Sequence, residues 1–297
     1  CQRQSPSIIA IPVTLGNLDF LYRIRTLGRC ASGGKIVNKQ IKLWGWCFAL
    51  FLLTLLLVNL PAIANNGSKQ ALPESQTHTL PPELVSLGIS LENLSLLGDD
   101  GSDYFAQVQP SPLGYLLWSQ FPVTVAVDYP PGLTPGSAAQ KRYYTWQQAI
   151  QTAIADWQEF FPLTLVENTT EADIAIFYRE PPLPRTVDPE TGLVSFGRAR
   201  TAQASYEFYW TDTSPPQLRH RMAIAIKPGL APLSLQGTAR HELGHALGIW
   251  GHSDRKEDAL YPAQTADVPA ISPRDLRTLY RLYQQPTRLG WPAPVSN

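Results

Sequence analysis

Cysteine is scarce in this chain and confined to one end. Three occur in 297 residues, Cys1, Cys30 and Cys47, and all lie before residue 65. From Asn65 onward the chain can form no disulfide, no thiolate zinc site and no cysteine nucleophile. Histidine is sparse at five residues, and Met222 is the only methionine. Charged residues are few, 16% of the chain, and they cancel, while hydrophobic residues make up 44%. That balance excludes wholesale disorder. The zero net charge hides an asymmetry. Residues 1–64 hold seven Lys/Arg and one acid, Asp19, which leaves 17 basic and 23 acidic side chains for the remainder. A mildly acidic body does not suit a nucleic-acid partner, whose phosphates are neutralised by Lys and Arg. The 27 prolines and 20 glycines point to a loop-rich domain.

One long apolar run stands out. Residues 43–60 (LWGWCFALFLLTLLLVNL) carry no charge and approach the length of a bilayer span. Lys39 and Lys42 precede the run, and Ala62-Ile63-Ala64 follows it with the small-x-small form read by signal peptidase. Residues 1–64 are therefore read as an N-terminal extension and signal peptide, cut after Ala64, with an uncleaved anchor as the alternative. Both readings put the body outside the cytoplasm, secreted, periplasmic or extracellular. Both leave membrane contact to this segment alone. Residues 1–36, which begin on Cys1 rather than Met, receive no function.

Residues 65–118 mix scattered Leu with Pro, Ser, Gly and Asp and read as a linker or short pro-segment. The acidic stretch Asp99-Asp100-Gly101-Ser102-Asp103 reads as a solvated loop, with calcium binding as the alternative. The domain itself is placed at 119–290, with a C-terminal tail at 291–297. Val123, Val125 and Val127 alternate with Thr124, Ala126 and Asp128, as in a strand. Trp146, Ala149, Ile150, Ala153, Ile154, Trp157 and Phe160 mark one face of a long helix, with Ser137 as N-cap and Pro162 as its end. Further strands are expected at 163–166, 173–178 and 222–226, with edge strands near 194–199 and 204–210. Two helices, near 234–247 and 273–284, close the chain. The second begins Ser272-Pro273-Arg274-Asp275, a capping-box set. Strands mixed with a few long helices imply an α/β or α+β domain.

The chemistry resides in His241-Glu242-Leu243-Gly244-His245. On a helix, residues four apart share a face, so His241 and His245 can bind one Zn²⁺. Glu242, rotated about 100° from His241, stays out of the ligand row and can take a proton from a metal-bound water. Ala239, Leu243, Ala246 and Leu247 supply an apolar face. Gly248 can end the helix in a left-handed conformation, turning the chain so that His252 becomes a third ligand. With five His and 11 Glu, chance alone gives this pattern in roughly 0.3% of such chains.

Residues 241–253, HELGHALGIWGHS, resemble the zinc signature of the metzincins, and of the matrixin branch in particular: H-E-x-x-H-x-x-G-x-x-H, often followed by Ser. Ala172-Asp173-Ile174-Ala175-Ile176-Phe177 resembles a matrixin central strand. Residues 153–165 resemble the end of the first matrixin helix and the strand after it. Asp258-Ala259-Leu260-Tyr261-Pro262 falls at the Met-turn, and 271–283 resemble the C-terminal helix. The likeness spans about 120–285. It implies a zincin-like, twisted, mostly parallel sheet with an antiparallel edge strand, a long first helix, an active-site helix and a C-terminal helix. It implies a secreted zinc metalloendopeptidase acting on proteins or peptides.

The chain departs from the pattern in several places. Gly251 occupies the third-His position and His252 follows one residue later, which reads as a one-residue insertion at Trp250-Gly251; Asp254 is the substitute ligand. Leu260 replaces the Met of the Met-turn. A structural zinc site is not expected, because only His78 and His220 remain to build it. The body also has no Cys for a cysteine-switch pro-segment. In this reading His241, His245 and His252 hold zinc and Glu242 is the general base. Tyr261 lines the pocket after the scissile bond, or assists the oxyanion as a phenol. The substrate pairs with an edge strand, taken as 194–199. Arg240 and Arg255 are read as solvated surface charges. Asp188 and Glu190 belong to a turn, with calcium as the alternative. A catalytically weak zinc-binding module is the competing class; a membrane-anchored structural protein, resting on 43–60 alone, leaves the histidine spacing unexplained.

Overall fold

In chain order the elements are α1 (Pro82–Leu96), a 3-10 turn (Phe105–Gln107), β1 (Val123–Val127), α2 (Ala138–Gln158), β2 (Leu163–Val166), β3 (Ile174–Tyr178), β4 (Arg185–Val187), β5 (Val194–Phe196), β6 (Ala202–Trp210), β7 (Leu218–Ile226), α3 (Pro232–Ala246) and α4 (Pro273–Leu282). The computed structural model describes residues 70–96, 100–263 and 268–294. The signal or anchor reading of residues 1–64 lies outside them, as do Asp99 and the last three residues of the tail. Among the described residues no helix is long and apolar enough to cross a membrane.

Five strands form one sheet in the order β2-β1-β3-β7-β6. The first three pairings are parallel and the last is antiparallel. Parallel neighbours need a crossover, and the 21-residue helix α2 supplies it between β1 and β2. Its start is fixed by Ser137, whose side chain accepts from the Gln140 N–H, and its apolar stripe is buried from Tyr143 to Trp157. The central strands β1 and β3 bury Val123, Val125, Ala126, Ile174, Ala175 and Ile176. Helices on the sheet make this a mixed α/β domain with a mostly parallel sheet and an antiparallel edge strand, as expected.

Of the two edge strands expected, the one near 204–210 is an edge of the sheet, as β6, and the one near 194–199 is not. Val194–Phe196 does not join the main sheet but pairs with Arg185–Val187 in a separate antiparallel hairpin. Asp188 accepts the N–H groups of Glu190 and Thr191 and closes the turn between them. Every residue of these two strands is exposed, Val187, Val194 and Phe196 included, so the hairpin puts no side chain into the core of the sheet. The short turn lets them pair locally at little entropic cost. The antiparallel edge of the main sheet is β6, and β2 is the opposite, parallel edge.

The stretch before β1 packs closely on the domain, and Ala71 onward belongs to one compact unit. Leu84, Leu87 and Leu91 of α1 are buried, and α1 packs on α4. The helices approach so closely that a Cβ on Gly88 would sit 2.5 Å from the Tyr280 ring. Val108, Leu113, Leu116, Leu117 and Trp118 are buried in the same core. The acidic loop is tied down by ion pairs, Asp100 to Arg255 at 2.8 Å and Asp103 to Arg281 at 3.1 Å.

His220 on β7 is buried and stacks on Trp118 at 4.0 Å. Among the described residues its Nε2 has no hydrogen-bond partner. Burial pushes the imidazole down to about 3, so it is neutral in the folded state. The unfolded chain takes up a proton near pH 6.5 that the folded chain refuses until about pH 3. The contribution to stability is therefore complete above pH ~6.5 and declines as pH falls, by about 1.4 kcal/mol per unit. Urea titrations at pH 6.5, 5.5 and 4.5 should show His220→Phe losing stability less steeply than the wild type, by one proton's worth.

Candidate metal centre

Pro232 opens α3 at its first turn, where a missing N–H costs nothing. One turn apart on this helix, His241 and His245 present their rings edge to face at 4.7 Å between centroids. The helix stops at Gly248, whose φ of +115° is open to glycine and strained for other residues. A Cβ there would also lie 2.3 Å from the Leu116 carbonyl oxygen. The last helical carbonyls find side-chain donors: Trp118 Nε1 donates to Ala246 O at 2.9 Å and Tyr283 Oη to Leu247 O at 3.0 Å. The chain then doubles back and brings His252 against both other rings, 5.2 Å from His241 and 4.9 Å from His245. One ring nitrogen from each of the three lies within 4.8 Å of the other two. A single cation between them can reach all three.

The ring orientations fit such an ion. His241 Nδ1 lies 2.9 Å from Ala259 O, and His245 Nδ1 lies 2.7 Å from Ile249 O. A carbonyl can only accept, so Nδ1 carries the proton in both rings and each Nε2 lone pair is free for a metal. The rings are also held neutral, the state that ligates. Burial, then the neighbouring His252, pushes His241 down to about 4 against the opposing Ala259 hydrogen bond. Burial and the two neighbouring imidazoles hold His245 well below the usual range, and burial lowers His252.

Glu242 is buried beside this cluster, 8% exposed. Burial raises its carboxyl to about 7, against the opposing pull of the Ala204 N–H and the Arg200 charge. Ala204 belongs to β6, so the carboxylate links the active helix to the sheet edge. The turn after the third histidine is held from α4. Asp275 accepts from the N–H of Ala259 at 2.8 Å, from that of Ser272 at 2.8 Å and from Tyr104 Oη. The Ala259 carbonyl of that turn is the acceptor for His241. Leu260 is fully buried, and a Cβ on Gly244 would meet its Cδ2 at 2.5 Å, so it forms the apolar floor beneath the helix.

Other predicted residues lie apart. Asp254 pairs with Arg274 at 3.1 Å instead of joining the imidazoles. Arg240, expected in solvent, is 7% exposed and donates from Nε and Nη2 to one carboxylate oxygen of Asp156 of α2. Its flank of α3 packs on α2, where Trp157 Nε1 donates to the Arg240 carbonyl at 2.9 Å. Arg255 is exposed and paired to Asp100. His78 stacks on Trp291 and bonds to Leu289 O. Tyr261 is half-buried next to Leu260, with its N–H on Asp258 O. Residue patterns gave no sign of the hold that Asp275 has on the turn at Ala259, of the roles of Tyr104 and Ala204, or of the buried Arg274–Asp258 pair, all of which depend on tertiary contact.

A parallel sheet with one antiparallel edge, and a helix carrying His-Glu-x-x-His opposite a third imidazole, define a metallopeptidase domain. A family model for matrixins, peptidase family M10, matches residues 135–284, half of the chain, and the chain belongs to that family. Its members are zinc metallopeptidases. No curated protein matches the chain.

Removing any one imidazole leaves two donors for the ion. Replacing His241, His245 or His252 singly by Ala should weaken Zn²⁺ binding by well over tenfold, beyond the roughly 10–100-fold attached to outer partners. Competition against a chromogenic chelator measures it. Unchanged affinity in all three variants would disprove a shared site.

Proposed function

We propose that this matrixin is a secreted zinc-dependent endopeptidase. The supporting observation is three neutral imidazoles gathered within 4.8 Å with a buried carboxylate one residue along the same helix. His241, His245 and His252 hold the zinc. Bound there, it supplies a Lewis acid for the scissile carbonyl and lowers the pKa of a water. Glu242 takes the proton from the attacking water and delivers it to the leaving amine. The substrate lies extended along the outer edge of β6, which replaces 194–199 as the pairing strand. Tyr261 forms the wall of the pocket for the side chain after the cut. Residues 43–60 export the domain and are removed after Ala64.

The full chain should cleave a labelled, unstructured protein such as casein, and a zinc chelator should stop it. Glu242→Gln should lower the rate by about 10²–10⁴-fold with one zinc per chain still bound. Absent cleavage by the wild type, or an unchanged rate in the variant, would leave a zinc-binding module as the better reading. Sequencing of the mature N-terminus at Asn65 tests export separately.

A further inference from the structure

The third imidazole is held differently from the other two. His241 and His245 each donate Nδ1–H to a carbonyl. Among the described residues the His252 ring has no hydrogen-bond partner, so its place is set by its backbone neighbours. On the far side, Ser253 N–H donates to Leu260 O at 3.0 Å and its hydroxyl bonds Asp258. On the near side the neighbours are Trp250 and Gly251, and both are met by the segment before β1. Gln109 N–H donates to Trp250 O at 2.9 Å. The Gln107 carbonyl oxygen lies 2.2 Å from where a Gly251 Cβ would stand, with Val108 Cα at 3.0 Å. Leu116 O closes over Gly248 in the same way at 2.3 Å. Both glycines between the second and third histidine thus lie under carbonyl oxygens of one segment. That segment is anchored in turn: Tyr104 bonds Asp275 and Thr278 of α4, and Val108, Leu113 and Leu116 are buried.

We propose that residues 105–116 form a strap that positions His252 in the metal centre, so that metal affinity depends on a segment remote in sequence from the ligands. The role is positioning, and it rests on the three-histidine zinc reading. The strap also accounts for the inserted residue. The extra length at Trp250-Gly251 is taken up as a loop whose path is set by Gln107 and Gln109.

Partners that orient a ligand are worth about 10–100-fold in metal affinity. Coupling is reciprocal, so zinc must steady the strap by the factor with which the strap favours zinc. Hydrogen exchange on the full chain, with and without Zn²⁺, reads this directly. Zinc should slow exchange in a peptide over 104–116 tenfold or more in the wild type and leave it unchanged in His252→Ala, with little effect on β2. Protection of 241–253 without protection of 104–116 overturns the strap alone. Equal slowing of β2 marks global stabilisation and also overturns it. No protection of either segment overturns the zinc reading as well.

A variant pair gives a second test. Val108 has ψ of 124°, extended enough to precede proline. Gln109→Pro deletes the N–H to Trp250 and should weaken Zn²⁺ binding ten- to a hundredfold. Gln109→Ala keeps the N–H and should restore wild-type affinity. Equal affinities in the pair overturn the proposal.

Discussion

An imidazole can ligate a metal only when it is uncharged and turned so that a bare nitrogen faces the ion. Both conditions are met here by the backbone. Ala259 O and Ile249 O each take an Nδ1–H, and burial keeps the rings deprotonated. Because the orienting atoms are carbonyls, the site depends on the chain path at residues 249 and 259. Gly248 sets the first by leaving the helix at φ +115°. Asp275 sets the second from the start of α4 by accepting the Ala259 N–H. That carboxylate is buried, and burial raises its pKa, yet it is surrounded by donors from Tyr104, Ala259 and Ser272. The supports extend the candidate metal centre far beyond its three imidazoles.

Much of this was legible in the order of residues, because it rests on short-range periodicity. Four-residue spacing puts His241 and His245 on one face. The stripe from Trp146 to Trp157 describes α2, and Ser272-Pro273-Arg274-Asp275 announces α4, where the capping box is present on both sides. Strand identity was equally local, since Val123, Val125, Ile174 and Ile176 belong to strands whose apolar runs can only be satisfied inside a sheet.

What stayed hidden depends on pairing between distant parts. Residues 194–199 and 204–210 both read as edge strands, and only the tertiary structure separates an exposed hairpin from the edge that bonds Glu242 through Ala204. Arg240 looks like any helix surface cation until Asp156 and Trp157 of α2 close on it. Residues 65–118 look like a linker because their Leu residues are spaced among turn formers; the burial of Leu84, Leu87 and Leu91 against α4, and of Leu116 and Trp118 at the end of α3, is not named by the local pattern. Asp275 is the clearest case. Its capping role was legible, whereas its hold on the turn below His241 uses the same carboxylate across 16 residues.

Two of the departures from the matrixin pattern have different physical costs. Leu260 in place of Met exchanges one apolar side chain for another of similar volume, and such swaps disturb packing little. It remains fully buried beneath Gly244 and Trp157, so the helix keeps its floor. The inserted residue is a larger demand, because it shifts the register of the backbone that carries a ligand. A side chain at 251 would collide with Gln107 O, so the insertion is confined to glycine at that point. The loop is not left loose by this choice: Gln109 bonds it at Trp250, and Trp250 in turn lies 5.6 Å from the His245 ring and 5.2 Å from Tyr206 of β6. Through Trp250 the loop that carries His252 is joined to the segment before β1 and to the sheet edge. The variant signature remains compatible with three converging imidazoles because packing elsewhere has closed around it.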